Sequence, residues 1–171
     1  MRKTIAVLLL VLLALLPVLP ACAETTKQTN PETGYTAVIE DGANLLDSAE
    51  YAGVLEQMME ITKYCNVGFY TCMDGSSAYS LTKAKNWAQN DQGLYEVPCT
   101  VFIIDMTNRH LDIWSSDAGG VYRVITTDVA NTVTDNTYRY ASREDYAGCA
   151  REVFSQIAAV LEGQKIAEPM R

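Results

Sequence analysis

The sequence predicts an α/β domain: a three-layer sandwich in which a small mixed sheet lies between helices. Three observations carry this. Residues 97–106 form the most apolar run beyond the N-terminus, rich in Val, Ile and Phe, and long enough for a buried central strand. Two segments, 51–65 and 146–161, repeat apolar residues at helical spacing. Strand-like and helical segments alternate, which calls for a sheet covered on both faces.

The first 23 residues read as a secretory signal. Arg2 and Lys3 precede an apolar run from Ile5 to Leu19, and Ala21-Cys22-Ala23 is a small-x-small cleavage site. The run is too short for an ordinary membrane span. Leu19-Pro20-Ala21-Cys22 loosely resembles a lipobox, which leaves lipidation at Cys22 as the alternative. Pro20 fits the simple cut better. Either route places the domain outside the cytoplasm, secreted or bound to the envelope.

Residues 24–36 are polar and read as a flexible leader. Residues 37–39 are extended and run into the turn Glu40-Asp41-Gly42. Asp47 with Glu50 forms a capping-box pattern, flanked by Leu46 and Tyr51 at staple positions. The helix that follows carries Val54, Leu55, Met58, Ile61 and Cys65 on one stripe. Asn66 to Met73 is a strand ending at Asp74-Gly75. A helix over 80–90 presents Leu81, Ala84, Trp87 and Ala88 on one face, and Gly93 marks its exit. After the central strand, Thr107 to His110 turn the chain, and 111–116 alternate as the second strand of a hairpin. Thr127 caps a helix to about Tyr138. Ser142-Arg143-Glu144-Asp145 opens the last helix, whose stripe includes Tyr146, Cys149, Val153, Phe154 and Ile157, with Gly163 at its end. The domain is expected over 37–163, with 164–171 as a tail.

Composition narrows the function. The chain has 171 residues, with 13 Lys and Arg against 21 Asp and Glu, for a net −8. The signal holds two of the basic residues and no acidic one, so the remainder carries −10. Such a surface repels nucleic acid and anionic lipid headgroups, and suits soluble life or cation binding. Cys65, Cys72, Cys99 and Cys149 sit among apolar neighbours, so buried thiols are expected. Disulfides remain the alternative for an exported chain. No C-x-x-C spacing suggests a zinc site.

Catalytic motifs are scarce. There is no G-x-S-x-G, G-x-G-x-x-G, Walker loop or H-E-x-x-H, and no cysteine is followed by an arginine six residues on. His110, the single histidine, lies in a turn where exposure is the ordinary state. The carboxylates of Asp41, Asp105 and Asp117, with the amide of Asn108, occupy strand ends and loops, where an α/β fold gathers oxygens for a hard cation. Asp also serves turns and caps, which accounts for Asp47, Asp74 and Asp145, and no calcium-loop spacing is present. Tyr138, Tyr140 and Tyr146 cluster with Arg139 and Arg143. Helix packing is the simpler reading of these, and a recognition surface the other.

These residues together resemble a TPM domain, a family of exported and membrane-anchored bacterial proteins and thylakoid proteins. The stretch Val38-Ile39-Glu40-Asp41-Gly42-Ala43-Asn44-Leu45-Leu46 resembles the family's opening. Val101-Phe102-Ile103-Ile104-Asp105-Met106-Thr107-Asn108-Arg109 resembles its central strand and turn. Thr132 to Asn136 and Asp145-Tyr146 resemble its C-terminal half. The resemblance spans about 37–163 and carries over Asp41 and Asp105 as positions. It implies an α/β sandwich, calcium binding, and the acid-phosphatase activity proposed for plant members. Gly93 to Pro98 and Asp117-Ala118-Gly119-Gly120 depart from the family's Asp-Asn-Gly-like and glycine-rich segments. The stretch from Gly163 to Arg171 resembles the point where related proteins run on toward a membrane span, so a truncated or secreted version is expected. The expectation is thus a non-catalytic envelope interaction module, working with envelope or membrane proteins and with Ca2+ as an optional ligand. The alternative is a metal-assisted acid phosphatase.

Overall fold

The computed structural model describes residues 25–94 and 97–169. The expected signal peptide lies outside the described residues. Five strands form one sheet in the order β1-β2-β3-β4-β5. These are β1 (Thr25–Thr29), β2 (Thr36–Asp41), β3 (Asn66–Cys72), β4 (Cys99–Asp105) and β5 (His110–Ser115). The three central strands are parallel, and β1 and β5 flank them antiparallel. The mixed α/β sandwich expected from the sequence is the observed fold.

Two boundaries differ from expectation. The polar leader is a strand, with Thr25 to Thr29 paired one by one with Glu40 to Thr36. Its side chains are nearly all exposed, so no apolar alternation announces it; the backbone ladder holds it, with a 3.0 Å bond between the Thr29 and Thr36 hydroxyls. At the other end the tail is tied down. Ile166 packs against the core and the Ala167 carbonyl accepts from Asn136 at 2.9 Å.

The helices are α1 (Glu50–Ile61), α2 (Ser80–Asn86, continued by a π-helical turn Trp87–Asp91), α3 (Val121–Val124), α4 (Thr127–Ala141) and α5 (Tyr146–Leu161). Half of the expected capping box forms at α1. The Asp47 N–H donates to Glu50 at 2.8 Å, but no side chain caps the helix in return. Thr126, one residue before the expected Thr127, caps α4, and Asp145, expected in a turn or cap, caps α5.

Alternation along the strands sorts the core into two layers. Ala37, Ile39, Val67, Phe69, Phe102 and Ile104 face α1, α4 and α5. There Phe69 stacks on Phe102 at 5.5 Å, and Phe154 meets both edge-on at 6.0 Å. Val38, Val101 and Ile103 face α2 and Trp87. The phase of α2 departs from expectation: Leu81 is exposed and Lys83 is buried. Two contacts set that phase. Trp87 lies over Gly68, where a Cβ would come within 2.4 Å of the indole, and Lys83 reaches the end of β4. No helix among the described residues is long and apolar enough to cross a membrane.

Candidate functional site

The parallel strands β2, β3 and β4 all end at one edge of the sheet, and their last residues are Asp41, Cys72 and Asp105. This is where open α/β sheets place ligands. Parity divides the three. Asp41 follows Ala37 and Ile39 toward α1, α4 and α5, while Asp105 follows Val101 and Ile103 toward α2. The two carboxylates therefore act on opposite sides of the sheet.

Asp41 is buried and organises the loop after β2. One oxygen accepts the Leu45 N–H at 3.0 Å, and the other accepts that of Leu46 at 2.8 Å. Thr71 donates its hydroxyl to the same carboxylate and accepts the Ala43 N–H at 3.0 Å. The loop lies close upon β3: a Cβ on Gly42 would meet the Thr71 carbonyl at 2.8 Å. Both carboxylate oxygens are thus committed to the chain's own donors.

Asp105 is fully buried and more densely bonded. It accepts backbone N–H groups of Thr107 and Asn108 at 3.0 and 3.1 Å, the Asn108 amide at 2.7 Å and the Ser80 hydroxyl at 3.2 Å. Lys83, itself buried, places its ammonium 3.0 Å from Asp105 and 2.7 Å from Asp74. Burial alone would raise the Asp105 carboxyl, but Lys83 and Asn108 outweigh it and hold it below the usual carboxylate range. Burial likewise works to lower Lys83, and the two aspartates keep it raised. Lys83 also holds Asp74 low.

The Cys72 sulfur and one oxygen each of Asp74 and Asp105 lie within 4.8 Å of one another. Burial, aided by Asp105, pushes the Cys72 thiol up to about 11, so it is protonated near neutrality. This donor set does not suit calcium, which takes six to eight oxygens. It holds a protonated thiol, and the one Lys83 ammonium already pairs with both carboxylates, offsetting half of their charge.

The four expected ligands do not form one site. Asp105 and Asn108 come together, with Asn108 also bonded to the Ala78 carbonyl at 2.8 Å. Asp41 is on the opposite face. Asp117 follows Ser115, which pairs with Thr100 near the start of β4, so it lies at the far end of the sheet. His110 is exposed and bonds Asp112 at 3.1 Å, and burial raises the Asp112 carboxyl against that partner's pull. The Tyr–Arg cluster divides. Tyr138 and Tyr146 line a cleft with Arg109 and His110, while Arg139 and Tyr140 line another with Glu152 and Ile166. Tyr138 and Tyr140 are exposed, so packing explains only Tyr146. All four cysteines from 65 to 149 are free and buried, as expected.

Ser80, Lys83 and Cys72 are not among the ligands expected from the sequence. Lys83 left a signal: it falls at helical spacing before Trp87 and beside Ala84, inside an otherwise apolar face. A charge there implies a buried counter-charge.

No protein-family model and no curated protein sequence matches the chain. Solved structures do. The N-terminal domain of the cg2496 protein from Corynebacterium glutamicum superposes with a TM-score of 0.56 at 10% identity, covering 78% of this chain and 85% of that one. The BA42 protein from the psychrophilic bacterium Bizionia argentinensis gives 0.56 at 10% identity, covering 69% and 82%. The N-terminal domain of a P. gingivalis protein gives 0.58 at 15% identity, covering 73% and 82%. All three share the α/β fold.

Proposed function

We propose that this chain is a non-catalytic interaction module of the cell envelope, acting on the outer side of the cytoplasmic membrane. One observation carries the reading: the Lys83 ammonium stands between Asp74 and Asp105, where a metal-assisted hydrolase would need a cation. The strand-end carboxylates are spent on loop architecture, with Asp41 holding 45–46 and Asp105 holding 107–108. The signal-like pattern of residues 1–23 and the resemblance to TPM domains support the location. The acidic surface suits protein partners better than nucleic acid.

The test sets this against the metal-assisted acid phosphatase. Purified protein is incubated with p-nitrophenyl phosphate under acidic and neutral conditions, with calcium, magnesium or manganese. Parallel thermal melts run with each metal against a chelator. Release at the buffer rate and an unmoved midpoint are the expected results. Steady, metal-dependent release that disappears in Asp41→Ala or Asp105→Asn would overturn the proposal.

A further inference from the structure

β5 is an edge strand set in a groove. Its Ser116 neighbour donates N–H to the Cys99 carbonyl at 2.9 Å, which fixes the phase of the antiparallel ladder. By alternation, His110, Asp112 and Trp114 bond β4, while the N–H and C=O groups of Leu111, Ile113 and Ser115 point away from the sheet. No bond joins those outward groups to another described residue. Ile113 and Ser115 are only 6% and 8% exposed as whole residues, and the one outward row of N–H and C=O groups they carry has no partner among the described residues. Buried backbone groups are almost always paired, and leaving them bare is unfavourable.

The walls come from both layers. Leu81 of α2 stands on one side; Thr127, Ala130 and Thr134 of α4 stand on the other. The cleft between them holds about 320 Å³ along Ile113 and Trp114. Leu81, exposed against expectation, borders this cleft. A helix would bring no free backbone groups to such a floor, because its own are bonded internally. An extended segment would bring a full row of them.

Charge selects among extended segments. Asp112 and Asp117 line the groove, and no Lys or Arg does. The other edge, β1, carries Lys27 and side chains open to solvent, the usual guard against strand pairing. β5 has no lysine or proline to guard it.

We propose that the β5 edge, between α2 and α4, takes an extended, lysine- or arginine-bearing segment of another polypeptide as an added strand. This rests on the interaction-module reading and names its binding surface. Backbone groups of Ile113 and Ser115 supply the ladder, Trp114 and Leu81 receive apolar side chains, and Asp112 and Asp117 receive the cations.

The experiment titrates purified protein with two synthetic peptides, Val-Lys-Val-Lys-Val and Val-Glu-Val-Glu-Val. Binding is read from the backbone amide resonances of Ile113 and Ser115 and from Trp114 fluorescence. The lysine peptide is expected to bind at least about tenfold more tightly, since like charges oppose the other. N-methylating one alternate set of its residues should abolish binding, and methylating the intervening set should change it little. Asp112→Asn with Asp117→Asn should weaken the lysine peptide by about tenfold and flatten its salt dependence. No saturable binding, equal sensitivity to both methylation patterns, or a self-associated dimer burying β5 would overturn the inference. Peptide failure alongside silent phosphatase assays removes the groove and leaves the module reading. Metal-dependent phosphate release removes the module reading itself.

Discussion

The Lys83 ammonium lies 3.0 Å from the carboxylate of Asp105, and both side chains are buried beneath the loop that joins β3 to α2. Removing one member of such a pair leaves an uncompensated charge. Lys83→Met is therefore expected to destabilise the protein by about 3–5 kcal/mol in urea unfolding. The double change Lys83→Met with Asp105→Asn removes both charges, so it should recover part of that loss. A double variant no more stable than Lys83→Met would show that the two charges are not coupled.

Acid should loosen the same pair. Asp105 is held below the ordinary carboxylate range, so the folded state binds its proton more weakly than the unfolded state. That contribution is present above the unfolded pKa of about 4 and is lost as pH falls through the folded value. Urea midpoints should drop across that window, and the drop should be shallower in Asp105→Asn. Lys83 has the opposite sign: its raised pKa gives stability that fades as pH rises above the ordinary lysine range.

Asp41→Ala should act on the loop after β2. It strips acceptors from the backbone N–H groups of Leu45 and Leu46 and from the Thr71 hydroxyl. A loss of about 1–3 kcal/mol is expected, the range for buried donors left unsatisfied. Amide exchange should accelerate at Leu45 and Leu46 before it does in β4.

Gly68 has no room for a side chain. A Cβ there would meet the Trp87 ring at 2.4 Å, and Trp87 is already held by Tyr70 stacking at 5.2 Å and a 3.0 Å bond to Glu40. Gly68→Ala should cost about 1–3 kcal/mol through overpacking. The indole fluorescence should shift as Trp87 is displaced. An unshifted spectrum with full stability would mean that α2 moves freely on the sheet.

The thiols should be silent until the chain unfolds. Burial pushes Cys65 up to about 12 and Cys149 to about 11, and Cys72 likewise. An aromatic disulfide reagent at pH 8 should label none of Cys65, Cys72, Cys99 and Cys149 in the native protein and all four in denaturant. Fast native labelling would place a thiol on the surface.

The legible parts of the fold were those with apolar periodicity. The stripe of 146–161 and the run at 97–106 became α5 and β4 because each buries a face regardless of its partners. β1 was not legible, since its five polar residues carry no pattern and it exists only through pairing with β2. Of the site, Asp105 with Asn108 was legible as a strand end and turn. Its counter-ion was not, because Lys83 is 22 residues away in sequence and meets Asp105 only when α2 lies on β4.

By itself, the amino-acid sequence determined the α/β class, the acidic surface, the buried thiols and the positions of the main strands and helices. These follow from local propensity, composition and period. Tertiary structure decided what the aspartates do. Strand parity sent Asp41 and Asp105 to opposite faces, the antiparallel return of β5 carried Asp117 to the far end, and docking of α2 on Gly68 drove Lys83 into the carboxylates. Those outcomes depend on distances between segments remote in the chain, and such distances are set only when the layers close on a shared core.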